Sequence, residues 1–228
     1  SESIEIISSI DDYLSKTFSN EFIFEEFLGN DLFSIDGLVI NSKFIFQNFS
    51  KKYIRSDSFL TSGYSSNISE NFINSFQNYT QKLISILNVN NSFFSFDVLY
   101  YKDKFYFIDF GLLLDAQMDR YLFHKNINCF ELFLKTLKNE NFKINSSKNN
   151  IIMGFIYPKI KGIMKNIPLI SDKNLNNLYL EPIKSTNEFC DKKMDISDCV
   201  GILFSKDHSW KELENIISDM ENQIKFSN

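Results

Sequence analysis

The chain has 228 residues, of which 43% are hydrophobic and 23% are charged. This is the composition of an ordinary globular protein, and it excludes a disordered tail, a collagen-like fibre and a small disulfide scaffold. Twenty-nine acidic residues against 24 basic residues give a net charge of −5. Because duplex nucleic acid is bound through a basic surface, we expect no nucleic-acid partner.

The cysteines and the apolar segments indicate where in the cell the protein is expected to be found. Cys129, Cys190 and Cys199 form no C-x-x-C pair and have no metal-binding spacing. With no signal peptide in the sequence, these thiols are expected to be reduced and the protein cytoplasmic. No segment reaches the roughly 18–20 apolar residues of a membrane helix, so we expect no membrane partner. The chain begins at Ser1 rather than at methionine, which suggests a piece of a longer protein.

Helical and extended segments alternate along the chain. Helical spacing of apolar residues predicts helices over 8–18, 69–88 and 128–138, and another from Ser209, where Glu212 completes a capping box. Short apolar runs predict strands over 21–28, 32–40, 43–49, 94–101, 105–110, 151–157, 178–183 and 199–204. Tight turns between consecutive strands favour antiparallel pairing. We therefore predict an α+β fold whose antiparallel sheet has helices packed on one face, with a polar linker at 138–150.

One predicted hairpin has an acidic residue inside each apolar strand, Asp97 and Asp109. A two-residue loop at 102–103 would place the two carboxylates on opposite faces. A three-residue loop at 102–104 pairs residue 97 with residue 109, so that both side chains share one face with Cβ atoms roughly 5 Å apart. We expect the three-residue loop.

Two carboxylates so close together need compensation, because an unpaired buried carboxylate costs several kcal/mol. A divalent cation such as Mg²⁺ provides it, since Mg²⁺ accepts one or two carboxylates and completes its shell with water and phosphate oxygens. The alternative is that one acid faces solvent or pairs with Lys102 or Lys104. Composition leaves both interpretations open.

Several segments resemble the ATP-grasp superfamily of ATP-dependent carboxylate ligases. The strand Phe96-Asp97-Val98-Leu99 and the strand Phe107-Ile108-Asp109-Phe110 match the two acidic strands of the family. Upstream, Phe24-Glu25-Glu26-Phe27-Leu28-Gly29 is similar to its adenine-pocket segment, and Ser34-Ile35-Asp36-Gly37-Leu38 to the strand that follows. The run 200–204 and the capped helix from Ser209 look like its closing strand and helix.

The resemblance implies a role for each matching residue. Asp97 and Asp109 would bind Mg²⁺ or Mn²⁺ that bridges the phosphates of ATP. Glu25, Glu26, Phe27 and Leu28 would contact adenine, mostly through backbone groups.

Three cations are further candidates. Lys52 and Arg55 could reach a phosphate or a substrate carboxylate, and Arg120 lies just after the second acidic strand. Arginine occurs only at positions 55 and 120, so its retention hints at a need for guanidinium geometry. The alternatives are solvated surface charge for Lys52 and Arg55, and a salt bridge with Asp115 or Asp119 for Arg120.

The sequence also departs from the family pattern. Gly111 and Leu113 stand where many members have asparagine and arginine, and Leu32 stands near the ribose position, where an acid is common. We expect the family's early lid strands, with their lysine and Gly-rich loop, to lie upstream of Ser1. We therefore expect the isolated chain to bind nucleotide poorly and to be inactive.

The resemblance divides the chain into residual lid at 1–30, a catalytic subdomain at 31–140 and a C-terminal extension at 141–228. It implies an ATP- and Mg²⁺-dependent ligase that joins a carboxylate to an amine through an acyl phosphate. Its partners would be small-molecule carboxylates and amines, with a homodimer left open. The alternative is a non-catalytic or degenerate domain that acts as a binding module.

Overall fold

The computed structural model describes residues 7, 9, 11, 14, 15, 26–29, 31–55, 60–115, 117–140, 142–144, 150–168, 177–191 and 196–227. Four α-helices lie in these ranges: α1 (Glu70–Ile86), α2 (Met118–His124), α3 (Cys129–Leu137) and α4 (Trp210–Gln223). A 3₁₀ turn spans Ile196–Asp198. None of the described helices is both long and apolar enough to cross a membrane.

The strands in the described ranges form two antiparallel sheets. In chain order they are β1 (Leu32–Ile40), β2 (Lys43–Ile54), β3 (Thr61–Ser65), β4 (Ser92–Tyr101), β5 (Lys104–Gly111), β6 (Ile152–Ile156), β7 (Gly162–Met164), β8 (Leu178–Pro182), β9 (Phe189–Cys190), β10 (Gly201–Ser205) and β11 (Phe226–Ser227). The main sheet has the order β5-β4-β1-β2-β3-β6-β10-β8, and the small one the order β11-β7-β9.

The two faces of the main sheet follow from the alternation along its strands. On β1, Phe33 and Ile35 face the core beneath α1, whereas Leu38 and Ile40 face the core beneath α2 and α3. Helix α4 packs on β6 from the α1 side, because the paired register carries that face from β1 through β2 and β3 to β6. The predicted α+β fold with an antiparallel sheet is confirmed, but its helices cover both faces rather than one.

Most predicted elements correspond to observed ones. The strand predicted at 32–40 is β1, and the strand predicted at 43–49 continues to Ile54. Most of the helix predicted at 8–18 and most of the strand predicted at 21–28 lie outside the described residues. The described residues Glu26–Gly29 have no regular structure.

Strand β3 was not predicted, although it lies in the middle of the sheet between β2 and β6. Its sequence, Thr-Ser-Gly-Tyr-Ser, is polar and short. Gly63 is required there, because a Cβ atom would lie 2.1 Å from the carbonyl oxygen of Met153 and 2.6 Å from the ring of Trp210. Since β3 pairs with β6, strands of the predicted 31–140 and 141–228 segments form one sheet. The division of the chain into these segments stays a prediction.

Candidate functional site

The β4–β5 hairpin places Asp97 directly opposite Asp109. The three-residue loop predicted for it is wrong: the turn has two residues, Lys102 and Asp103, with φ of 47° and 59°, and pairs Tyr101 with Lys104. A β-bulge between Asp97 and Val98 shifts the register, so that Ile108 is the extra residue. The bulge restores the alignment that the shorter turn would have removed.

Asp97 and Asp109 begin a polar row that crosses four strands of the sheet. The register aligns Asp109, Asp97, Ser34 and Ser50 on β5, β4, β1 and β2. The next row contains Gly111, Ser95, Asp36 and Asn48. Both rows lie on the face covered by α2 and α3. The polar side chains on β1 and β2 are buried, whereas Asp97 is half-buried and Asp109 is exposed.

Two lysines reach this face: Lys125 donates to Oδ1 of Asn48 at 2.8 Å, and Lys52 contacts the carboxylates. Its Nζ lies 2.6 Å from Oδ2 of Asp97 and 2.9 Å from Oδ2 of Asp115, and the residue is only 7% exposed. The Tyr64 hydroxyl also donates to Oδ2 of Asp115. Burial alone would lower the pKa of Lys52, but Asp97 and then Asp115 raise it above its ordinary value. The alternative of a solvated Lys52 is therefore wrong.

Asp36 is buried behind this cluster. Ser34 Oγ donates to its Oδ2 at 2.7 Å, and the backbone N–H of Asp115 donates to its Oδ1 at 3.1 Å. Burial, with the nearby Asp115 carboxylate, raises the pKa of Asp36 to about 7. Asp36 therefore titrates near neutral pH and fixes the backbone of the loop that carries Asp115.

Asp97 retains an unused acceptor. Its Oδ2 receives Lys52, but its Oδ1 is buried and accepts no hydrogen bond within the part of the chain that the structure describes. Burial raises the pKa of Asp97, although Lys52 opposes that shift. An oxygen in this position is short of a positive partner.

A cavity of about 170 Å³ opens on the two hairpin aspartates. Its walls combine carboxylates with small or apolar groups: Ser95, Asp97, Asp109, Phe110, Gly111, Leu113, Leu114 and Asp115. Gly111 and Leu113, the positions that depart from the family pattern, thus both lie in its wall. Leu113 is 74% exposed.

The donor set fits a hard divalent cation. Asp109 is exposed to the cavity, and Oδ1 of Asp97 is unsatisfied, so two carboxylates offer oxygen ligands. Within the described ranges, no group of three or more His, Cys, Asp or Glu side chains is arranged to hold a metal ion. A cation here would therefore complete its shell with water or phosphate oxygens.

The two arginines are not brought to this cavity. Arg55 forms a bidentate pair with Glu221 of α4, at 2.7 and 3.2 Å, and lies over the ring of Tyr157. Arg120 pairs with Glu181 of β8 rather than with the predicted Asp115 or Asp119, and lines a separate cavity of about 430 Å³. Both guanidinium groups join distant elements of the fold.

The proposed adenine segment contributes little structure. Glu26 and Phe27 are exposed and Leu28 is half-buried, and Glu25 lies outside the described residues. Their predicted contact with adenine stays a prediction.

Asp36, Asp115 and Tyr64 were not predicted as site residues. For Asp36 a signal existed, because Ser34 and Asp36 alternate on one face of an otherwise apolar strand. Nothing in the local sequence indicated Asp115, since it reaches Lys52 from a loop 63 residues further along the chain.

The chain matches no protein-family model and no curated protein. Solved structures are similar in fold. Phosphoribosylglycinamide synthetase from Anaerococcus prevotii is 18% identical with a TM-score of 0.69, over 89% of this chain and 54% of that chain. L-amino acid ligase from Bacillus licheniformis is 16% identical with a TM-score of 0.69, over 89% and 53%.

A third similar structure contains a nucleotide. It is the biotin carboxylase domain of 2-oxoglutarate carboxylase from Hydrogenobacter thermophilus, in complex with magnesium ADP, ADP and bicarbonate. It is 8% identical with a TM-score of 0.63, over 86% of this chain and 46% of that chain. The fold expected from the resemblance, part of an ATP-grasp domain, is confirmed. The chain spans about half the length of these proteins.

Proposed function

We propose that this chain is the catalytic and C-terminal part of an ATP-grasp ligase, which joins a carboxylate to an amine through an acyl phosphate. The observation that carries the proposal is that Asp97 and Asp109 lie opposite each other beside a cavity. One oxygen of Asp97 is buried and has no hydrogen-bond partner among the residues that the structure describes. The fold neighbours support it, and one of them holds magnesium ADP.

The residues of the cluster would have separate tasks. Asp97 and Asp109 would hold Mg²⁺ or Mn²⁺, which when bound neutralises charge on the transferring phosphoryl group. Lys52 fixes the orientation of Asp97, and Tyr64 and Asp36 hold the Asp115 loop against it. Preorganised charge of this kind supplies much of the rate in phosphoryl transfer.

The proposal extends to substrates and setting. The substrates would be a small-molecule carboxylate and an amine, with a homodimer left open. Cys129, Cys190 and Cys199 are free and buried, and burial raises the pKa of Cys199 to about 12. Such inert thiols suit the cytoplasmic location that we propose.

A non-catalytic binding module is the second candidate, and Leu113 favours it. An exposed leucine lines the cavity where many ATP-grasp members have arginine, so substrate orientation by that arginine is lost. A module of this kind would retain nucleotide binding without turnover.

The variant Asp109→Asn in the complete protein tests the proposal. The amide keeps the shape but removes a ligand charge, so ADP release in a substrate screen should fall on the order of a thousandfold. The melting temperature should stay the same or rise, because repulsion from Asp97 is relieved.

Asp103→Asn is the matched control, since it removes a carboxylate from the turn of the same hairpin. It should leave ADP release unchanged. Nucleotide binding that depends on Asp109 without any turnover would establish the binding module. A large loss of stability with unchanged specific activity would overturn both candidates.

A further inference from the structure

The position of Lys52 has a consequence for cation binding. We propose that Lys52 competes with the divalent cation for Asp97, so that it stabilises the folded protein and weakens cation affinity. This inference rests on the proposed function, because it concerns the same aspartate site.

The competition acts through charge, because Lys52 occupies Oδ2 of Asp97 while the cation would bind Oδ1. The ammonium lies 2.6 Å from Oδ2 of Asp97, a close charge-assisted contact. The same ammonium lies 2.9 Å from Oδ2 of Asp115, so a single cation holds carboxylates from two different elements. A divalent ion on Asp97 would lie within a few ångströms of that ammonium.

The charges on this face indicate how strongly Lys52 lowers the affinity for a divalent cation. Four carboxylates lie on or beside this face, on Asp36, Asp97, Asp109 and Asp115. Lys52 contacts two of them, and Lys125 reaches the same face at Asn48. Two cations a few ångströms apart repel by more than 1 kcal/mol even when solvent screens them well. A resident ammonium therefore lowers the affinity of the site for a second cation.

Lys52 also has a structural task, and the two tasks predict opposite effects. Removal of Lys52 leaves Asp97 and Asp115 without their cation in a half-buried position, which destabilises the fold. A purely structural lysine would then give a protein that melts earlier and binds cations no better or worse. A competing lysine gives a protein that melts earlier and binds cations more tightly.

The test compares Lys52→Met with Lys51→Met. Lys51 is the preceding residue, but its ammonium pairs with Asp31 on the opposite face of the sheet. Free Mn²⁺ is titrated by electron paramagnetic resonance, and melting is recorded with and without Mn²⁺. We expect Lys52→Met to bind Mn²⁺ at least about tenfold more tightly than wild type.

Without Mn²⁺, the same variant should melt at a lower temperature than wild type. Addition of Mn²⁺ should raise its melting temperature by more than it raises that of wild type. Lys51→Met should match wild type in both measurements. If Lys52→Met fails to fold, Lys52→Gln keeps a hydrogen-bond donor without the charge and should show the same tightening.

The outcomes separate this inference from the proposed function. Mn²⁺ affinity that is unchanged or weaker in the folded Lys52 variants, with clear binding by wild type, overturns the competition and leaves the ligase proposal standing. Absence of Mn²⁺ binding in wild type and in both Lys52 variants overturns the competition together with the metal site.

Discussion

Lys52 near the end of strand β2 and Arg55 directly after the strand are cations three residues apart, and they lie in very different surroundings. Arg55 meets Glu221 through two hydrogen bonds, and Oε1 of Glu221 also accepts the backbone N–H of Tyr157 at 3.0 Å. Lys52 is shared between two carboxylates on the other face of the sheet, and Asp97 keeps a buried oxygen that no donor among the described residues reaches.

Arg55 and Glu221 form a closed ion pair with a structural role, whereas Lys52, Asp97 and Asp115 form an open site beside a cavity. Around Glu221, which is 3% exposed, one guanidinium balances one carboxylate and ties α4 to the sheet. Around Lys52, negative charge exceeds positive charge and a cavity adjoins it. Buried polar groups are nearly always satisfied in folded proteins, so the oxygen of Asp97 needs an explanation, and the adjoining cavity with its second carboxylate supports a cation.

The largest expected change in stability comes from breaking the ion pair between Arg55 and Glu221. Arg55→Met leaves the Glu221 carboxylate buried with no cation, so the free energy of unfolding should fall by roughly 3–5 kcal/mol. Chemical denaturation of both proteins measures it. The double variant Arg55→Met/Glu221→Leu should recover much of the loss, and a double variant as unstable as the single one would contradict a closed ion pair.

The pH dependence of stability should come from the open site. Asp36 has its pKa raised to about 7 by burial and by Asp115, so between about pH 4 and 7 the folded protein binds more protons than the unfolded one. Stability should therefore fall as pH rises through this window, by roughly 2–4 kcal/mol. Asp97 adds a contribution of the same sign, because burial raises its pKa as well.

Asp36→Asn checks the assignment. The amide cannot ionise, so denaturation curves at pH 4.5 and 7.5 should differ less than those of wild type. An equal pH dependence in the two proteins would show that Asp36 is not the group responsible.

The smallest expected effect is at the turn that carries the two acids. Lys102 has a φ of 47°, a left-handed conformation that asparagine adopts more readily than lysine. Lys102→Asn should raise the free energy of unfolding by about 0.5 kcal/mol. Because the turn lies away from the cavity, cation affinity should not change, and a change would show that the register of the hairpin had shifted.

Much of the fold followed from patterns that lie within one element. The alternation along β1 and the apolar stripe of α1 each reflect one element packing on one core, so local sequence contains the information. Helix α2 could not be predicted from local sequence, because it has only seven residues. It begins after Gln117, which has a φ of 62° and makes no side-chain cap. Its helical state depends on packing against the sheet.

The site was predictable in part for the same reason. The pairing of Asp97 with Asp109 was predicted from a three-residue loop that the structure does not have, and the bulge that produces the pairing has no local signature. The burial of Lys52 depends on Asp115 and Tyr64, which come from other elements. A single sequence does not show such long-range contacts.

The central claim is that Asp97 and Asp109 together bind a divalent cation. Titration of Mn²⁺ into wild type, Asp97→Asn and Asp109→Asn, followed by electron paramagnetic resonance, tests it most directly. We predict binding by wild type and at least about tenfold weaker binding by each variant, with a folded Asp109→Asn protein. Equal Mn²⁺ affinity in all three proteins, or no binding by wild type, would contradict the account.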